Sequence, residues 1–435
     1  MRDDASDRLD RDQTAVGRPA RGRGWTVNDA LGLGRLLVDG VTGASHVTEE
    51  LHGTISSRAR RIAGSRSAGV GRIAGLVYRS VRAVTGLAGL GFEAALTPFA
   101  TEEQGRAASL RADASRAALN GVIGDYLAAS GNALAIPMRL RRDGMPLTLE
   151  RSWLADHVPP CGGRVLVLIH GLCLSDRQWL RGGHDHGAAL GRDLGFAPLY
   201  LHYNSGRRIS INGEELSALL EQLIRAWPVP VRQLVLVGHS MGGLVARSAV
   251  HQGELAGAAW CRQLRAMVFL GTPHHGAPLE RAGNWVNRLA EISPYAAPLA
   301  RLGRARSAGI QDLRHGNLLA ADWAPHPGDH APDARVPVPL PAGVACYAIA
   351  AARRSRAGKL GKSDGWVSVQ SALGEHIEAR RALALPPSHR AVFAGLGHFD
   401  LLASAEVYGR LRSWLEALPS RRRAPRRIPD PPPVR

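Results

Sequence analysis

The sequence predicts an α/β protein, a mostly parallel sheet covered by helices on both faces and preceded by an N-terminal helical extension. Three observations carry this. From Arg164 onward, short apolar runs alternate with helical segments, the texture of strand–helix–strand crossovers. The runs are apolar at successive positions rather than at every second one, as expected of strands buried on both faces. One run, Leu234-Val235-Leu236-Val237, passes directly into Gly238-His239-Ser240-Met241-Gly242-Gly243, the strand–turn–helix pattern of a nucleophile elbow.

Residues 1–24 are charged, Gly/Arg-rich and aperiodic, and read as disordered. Residues 25–150 form the N-terminal helical extension. Thr26-x-x-Asp29 suits a helix start, with Leu31, Leu36, Leu37 and Val41 continuing it. The clearest helical pattern runs over 70–88: Val70, Ile73, Val77, Val81 and Val84 share one face and Arg72, Arg79 and Arg82 the opposite one. It leads into an apolar stretch at 86–92. Such a helix either packs its stripe on the protein or lies on a membrane or hydrophobic particle. A further helix is expected over 102–130. Ile136–Arg141 and Met145–Glu150 then suit a hairpin about Asp143-Gly144, a favoured turn pair.

The catalytic domain is placed at 151–418. Its expected strands are Val165–Ile169, Pro198–Tyr203, Gln233–Val237, Ala266–Leu270, Val344–Ala350 and Ala391–Ala394. Helices are expected over 184–194, 210–226, 241–253 and 401–417. The alternation breaks over 274–343, where extra helical pattern and a Pro/His-rich loop suit a cap or lid insertion. The basic, Pro-rich tail 419–435 reads as disordered.

The net charge is +18, and all but Lys359 and Lys362 of the 55 basic residues are arginine. The skew, alongside abundant Ala and Gly, reads as genome composition, although the charge itself favours anionic surfaces. The arginines are dispersed without aromatic interleaving, so nucleic acid is not an expected partner. Cys161, Cys173, Cys261 and Cys346 show neither CxxC nor zinc-like spacing, compatible with a reducing compartment. The polar N-terminus does not resemble a secretory signal, and no run of about 18 uncharged apolar residues suggests a spanning helix. The expectation is a cytoplasmic protein, with peripheral membrane association left open.

A serine hydroxyl is a poor nucleophile at neutral pH and needs a hydrogen-bonded base oriented by a third group. His398, in Gly397-His398-Phe399, follows the last strand and precedes the last helix, on the same sheet edge as Ser240. Asp364, in Ser363-Asp364-Gly365-Trp366-Val367, lies after the preceding strand; Asp400, Asp322 and Glu375 are the alternative acids. The order Ser240, Asp364, His398 matches the order this chemistry takes on such a sheet. For the oxyanion, the N–H of Met241 follows from its position after the nucleophile. The second donor is expected from the turn His170-Gly171-Leu172, at the Leu172 N–H. Gly171, Gly238 and Gly242 shape these loops. His274 and His275 lack acidic or thiol partners at ligand spacing, so no metal is expected. His184 and His186 read as a solvated helix start, and Cys173 as packing beside the oxyanion turn.

Over about 160–417 the chain resembles the α/β-hydrolase superfamily, and within it the lipase/esterase group. The resemblance is carried by His170-Gly171-Leu172, the elbow, Gly271-Thr272-Pro273-His274-His275-Gly276, Asp364-Gly365-Trp366-Val367 and Gly397-His398, in that order. It implies the α/β-hydrolase fold and carboxylic-ester hydrolysis without a cofactor, with the Gly-Thr-Pro-His segment shaping the rim of the site. The expected activity is ester hydrolysis through an acyl-enzyme on Ser240. The expected partner is an ester or lipid substrate, with a tilt towards water-insoluble ones. Acyl transfer by the same triad and a non-catalytic membrane-surface scaffold are the alternatives.

Overall fold

The computed structural model describes residues 29–40, 42, 110–159, 161–277, 307–323, 333–354 and 358–419. The expected helix over 70–88, the apolar stretch 86–92, both termini, and 278–306 and 324–332 of the expected insertion lie outside the described residues.

The centre is one eight-stranded sheet. In chain order its strands are β1 (Arg139–Arg142), β2 (Met145–Pro146), β3 (Arg164–Ile169), β4 (Ala197–His202), β5 (Gln233–His239), β6 (Leu264–Leu270), β7 (Ala345–Ala352) and β8 (Arg390–Ala394). They lie side by side in the order β2-β1-β4-β3-β5-β6-β7-β8. β1 and β2 form an antiparallel hairpin, and β1 runs antiparallel to β4; every other pairing is parallel. The hairpin turns at Asp143 and Gly144, whose φ of 52° and 78° are those of a type I′ turn. It is shorter than expected, because β2 pairs only through Met145 and Pro146 and Pro146 has no N–H to extend the ladder.

Both faces are covered, and the strand side chains sort between two cores. Val165, Val167, Ile169, Leu234 and Leu236 belong to one. Leu166, Leu168, Val235 and Val237 belong to the other. On the first face lie the helices Ile209–Ala226 and Met241–Leu255, through residues such as Leu216, Leu220, Leu244 and Val245. On the second lie His186–Leu194 and Ala405–Glu416, through Leu190, Val407, Leu411 and Leu415. Each fully buried leucine is worth about 1.5–3 kcal/mol relative to exposure, so neither face tolerates a register slip that would expose its set.

The helix Leu110–Ala129 is part of this body, since its Ala118 and Val122 are buried in the first core with Leu172 and Cys173. Its pattern is nearly polar-neutral and its helical φ/ψ break at Ile123 (φ −134°, ψ 24°), so periodicity alone reveals little of its packing. The segment 29–40 is helical, and Asn132 Nδ2 donates to Gly32 O at 3.0 Å to tie it to the chain that follows.

Parallel register brings the C-terminal ends of the central strands to one edge. Ile169 pairs with Gly238, His239 with Leu270, Leu270 with Ile349 and Ala352 with Ala394. The loops leaving that edge carry every motif singled out in the sequence.

Candidate active site

The elbow forms because two glycines let chain segments touch. A Cβ at Gly238 would stand 2.5 Å from Gly243 Cα, and one at Gly242 would collide with the Ile169 carbonyl oxygen. Between them Ser240 caps the helix Met241–Leu255 with φ 53° and ψ −126°, a conformation side-chain-bearing residues rarely adopt. Its N–H donates to Leu270 O at 2.9 Å, which locks the elbow to β6. The side chain stands at the edge of solvent, with 8% of the residue exposed.

The structure brings His398 and Asp364 together. His398 Nδ1–H donates to Asp364 Oδ2 at 2.7 Å, with both side chains buried. The carboxylate is itself fixed: its Oδ1 accepts from Trp366 N at 2.8 Å and Val367 N at 2.7 Å. The His398 N–H also donates to Asp364 O at 3.2 Å, so the two loops are joined by backbone as well as side chain. The alternative acids are engaged elsewhere. Asp400 accepts from Gly397 N, Asp322 caps Leu318, Leu319 and Val336 N–H groups, and Glu375 pairs with Arg390. Because the Asp364 contact holds the proton on Nδ1, Nε2 is left as the basic nitrogen. Among the described residues the Ser240 hydroxyl makes no hydrogen bond to His398; such contacts often tighten only once substrate is bound.

The turn after β3 packs directly on Ser240: a Cβ at Gly171 would stand 3.0 Å from Ser240 Cβ. Leu174 N donates to Gly171 O at 3.3 Å, closing the turn over Leu172 and Cys173. Within it the Leu172 N–H, like that of Met241 at the helix start, has no protein acceptor among the described residues. Both therefore remain available to a developing oxyanion.

Several residues around the site were not legible as functional. His239 is fully buried, and its Nε2–H donates to the His398 carbonyl at 3.2 Å, with the two rings 4.7 Å apart. Burial first, then the neighbouring His398, holds its pKa well below the ordinary histidine value, so it is neutral. His170 Nδ1–H donates to Gly171 O at 2.9 Å, and burial pushes its pKa down to about 3. His274 accepts from Arg247 Nη1 at 3.3 Å, while Arg247 Nη2 donates to Val338 O at 2.6 Å. Burial lowers this guanidinium to about 10. The His274 side chain thus anchors the helix that follows Ser240, a contact that a search for metal spacing does not find.

One reading of the sequence needs correction. His186 starts a helix, capped by Asp185 accepting from Ala188 N at 2.9 Å, yet it is not solvated. It is fully buried, its Nε2–H donates to Leu401 O at 2.9 Å, and burial lowers its pKa to about 4. Cys173 is buried in the first core, in keeping with its reading as packing, and also holds φ 58° in the turn beside Ser240. Its buried thiol is pushed up to about 12 and is not a nucleophile at neutral pH.

Among the described residues no group of three or more His, Cys, Asp or Glu side chains is placed to hold a metal, and no helix is long and apolar enough to cross a membrane. Residues 160–324 match the family model of the PGAP1-like alpha/beta domain. No curated protein sequence matches the chain. Among solved structures, the chain is similar to the mature form of the lipase BlEst2 from Bacillus licheniformis, at 20% identity and a TM-score of 0.37, over 59% of this chain and 94% of that one. It is similar to the thioesterase RedJ of the prodiginine biosynthetic pathway in Streptomyces coelicolor at 17% identity and a TM-score of 0.34, over 63% and 95%. It is also similar to Aspergillus fumigatus lipase B at 12% identity and a TM-score of 0.36, over 60% and 57%.

Proposed function

We propose that this chain, which has the α/β-hydrolase fold and carries the PGAP1-like alpha/beta domain over residues 160–324, is a serine carboxylic-ester hydrolase acting through an acyl-enzyme on Ser240. The observation that carries the reading is the buried Asp364–His398 pair at 2.7 Å on the same sheet edge as a serine held at φ 53°.

In this reading His398 Nε2 takes the proton of Ser240 Oγ as Oγ bonds to the ester carbonyl carbon. The carbonyl oxygen becomes the oxyanion and accepts from the Leu172 and Met241 N–H groups; losing one such donor typically costs about 3 kcal/mol of transition-state stabilisation. Collapse breaks the bond to the alcohol oxygen, which receives the proton from His398. Water, deprotonated by the same nitrogen, then releases the acid and restores Ser240. Asp364, acceptor-only while ionised, keeps the proton on Nδ1 and the ring in one orientation throughout.

For substrate we propose a lipid or other water-insoluble ester, supported by the apolar, Arg-flanked sequence pattern at 70–92. Fluorophosphonate labelling followed by peptide mapping tests the chemistry: the adduct is expected on Ser240 and absent from Ser240→Ala. A folded wild-type protein that takes up no label sinks the reading. A chain-length series of chromogenic esters, offered below and above their solubility limits, tests the substrate class. Equal rates on either side of the limit would count against an interfacial substrate.

A further inference from the structure

The turn Gly171–Leu174 has a feature its sequence does not favour. A β-turn with positive φ only at its third residue is of type II, and that position normally holds Gly or Asn. Here it is Cys173, at φ 58°. A side-chain-bearing residue persists in this region only where its surroundings hold it there.

The holding comes from the N-terminal helix Leu110–Ala129 and from the end of β4. Cys173 N donates to Ser205 Oγ at 3.0 Å, and its Sγ lies 3.8 Å from Ala118 O. Gly121 faces it directly. A Cβ there would collide with Cys173 Sγ and lie 2.9 Å from both the Cα and N of Cys173. The helix is in turn pinned against the site by its own carbonyls, with Asn204 Nδ2 donating to Gly124 O at 2.7 Å and Ser307 Oγ to Gly121 O at 2.6 Å. A second grip lies at the far end of the loop. Arg141 Nη1 stands 3.4 Å from Asp113 of the helix and 3.2 Å from Asp176, three residues beyond Cys173.

We propose that the helix Leu110–Ala129 is a positioning element of the oxyanion loop, with Gly121 its positioning residue: it imposes the turn that presents the Leu172 N–H beside Ser240. This rests on the hydrolase reading above. The N-terminal region thereby acquires a role in the chemistry through the loop it clamps, without touching substrate.

The test is Gly121→Ala in the full chain. Helix propensity alone predicts that this substitution stabilises. The clamp predicts instead that kcat on a good ester falls on the order of tenfold to a hundredfold, a partial loss of one oxyanion donor, while KM changes little. The loss is expected to be smaller on the corresponding thionoester, whose sulfur accepts hydrogen bonds weakly, so the ester-to-thionoester rate ratio narrows. A Cys173→Gly change in the Gly121→Ala background removes the colliding sulfur and supplies a residue at home at positive φ, while the 2.9 Å approach to the backbone of residue 173 remains; it is expected to restore part of the rate, not all of it. If Gly121→Ala does not fold, Ser205→Ala carries the test, since it removes the Cys173 N–H acceptor without adding an atom and is expected to narrow the same ratio. Folded variants with unchanged kcat, or with equal losses on ester and thionoester, overturn the positioning role. Wild-type protein that takes no fluorophosphonate on Ser240 overturns the hydrolase reading instead, so the two failures are told apart.

Discussion

Acidification from pH 7 to pH 5 is expected to cost this protein much of its stability through its buried histidines. His170 and His186 are buried, and burial lowers their pKa values to about 3 and about 4. In the unfolded chain each imidazole takes up a proton as pH falls through about 6.5. Across that window the unfolded state binds the protons and the folded state does not, so stability is present above about 6.5 and falls with pH. At about 1.36 kcal/mol per unit over roughly 1.5 units, each of the two removes about 2 kcal/mol by pH 5, together about 4 kcal/mol. His202, His239 and His274, all lowered by burial, add to the same trend. Against a typical total of about 5–15 kcal/mol this is a large fraction. Urea unfolding followed by tryptophan fluorescence, repeated between pH 8 and pH 5, measures it. His186→Gln isolates one group: the amide retains a donor for Leu401 O and an acceptor for His184 Nε2 but does not titrate. The variant is expected to recover about 2 kcal/mol of the pH dependence. A wild-type midpoint that does not move between pH 7 and pH 5, or a His186→Gln slope equal to wild type, refutes the reasoning.

Two substitutions test the site itself. Asp364→Asn keeps an acceptor for the Trp366 and Val367 N–H groups but turns an NH₂ towards His398 Nδ1, forcing the proton onto Nε2. Ester turnover is expected to fall on the order of 10³–10⁴-fold with little change in urea midpoint, and turnover within tenfold of wild type would contradict the assigned tautomer. Ser240→Gly removes the side chain from a residue at φ 53° and is expected to raise stability by about 1–2 kcal/mol at pH 7 while abolishing turnover. A lower urea midpoint would show that the elbow is not strained.

The sheet was legible because its strands are buried on both faces, which leaves continuous apolar runs such as Leu234–Val237 that no solvent-facing alternation interrupts. The Asp364–His398 pairing was legible as one of several because chain order and strand ends bring each residue to one edge, and among the described residues Asp364 is the carboxylate hydrogen-bonded to the imidazole. The buried histidines were not. His186 reads as polar at a helix start, and only the fold shows Leu401, 215 residues away, closing over it. Arg247 sits in a helix whose buried side is, apart from Ser248, made of apolar residues and glycine, and its acceptors, His274 and Val338, come from segments that no local pattern links to it. The contact of Leu110–Ala129 with the oxyanion turn was hidden for a further reason. It is made through Gly121 and the Ala118 carbonyl, groups that add no large apolar side chain to a stripe.

Backbone strain ties these observations together. Among the described residues four that are not glycine hold positive φ: Asp143, Cys173, Ser240 and Ala384. Asp143 needs no special account, since hairpin turns of its type require the conformation. Cys173 and Ser240 are different, because they flank one point, the place where Gly171 packs against Ser240 Cβ. Each costs roughly 1–3 kcal/mol that its own turn does not return. They are held from different parts of the chain, Ser240 by β6 through Leu270 O, Cys173 by Ser205 and the N-terminal helix. Relaxing either one would re-aim a backbone N–H at the same small volume, the one from Leu172 and the other from Met241. A site that needed only a reactive serine would require one strained residue. Two, supported independently and facing each other, are what the proposed hydrolase reading requires, in which two donors converge on an oxygen that carries charge only in the transition state.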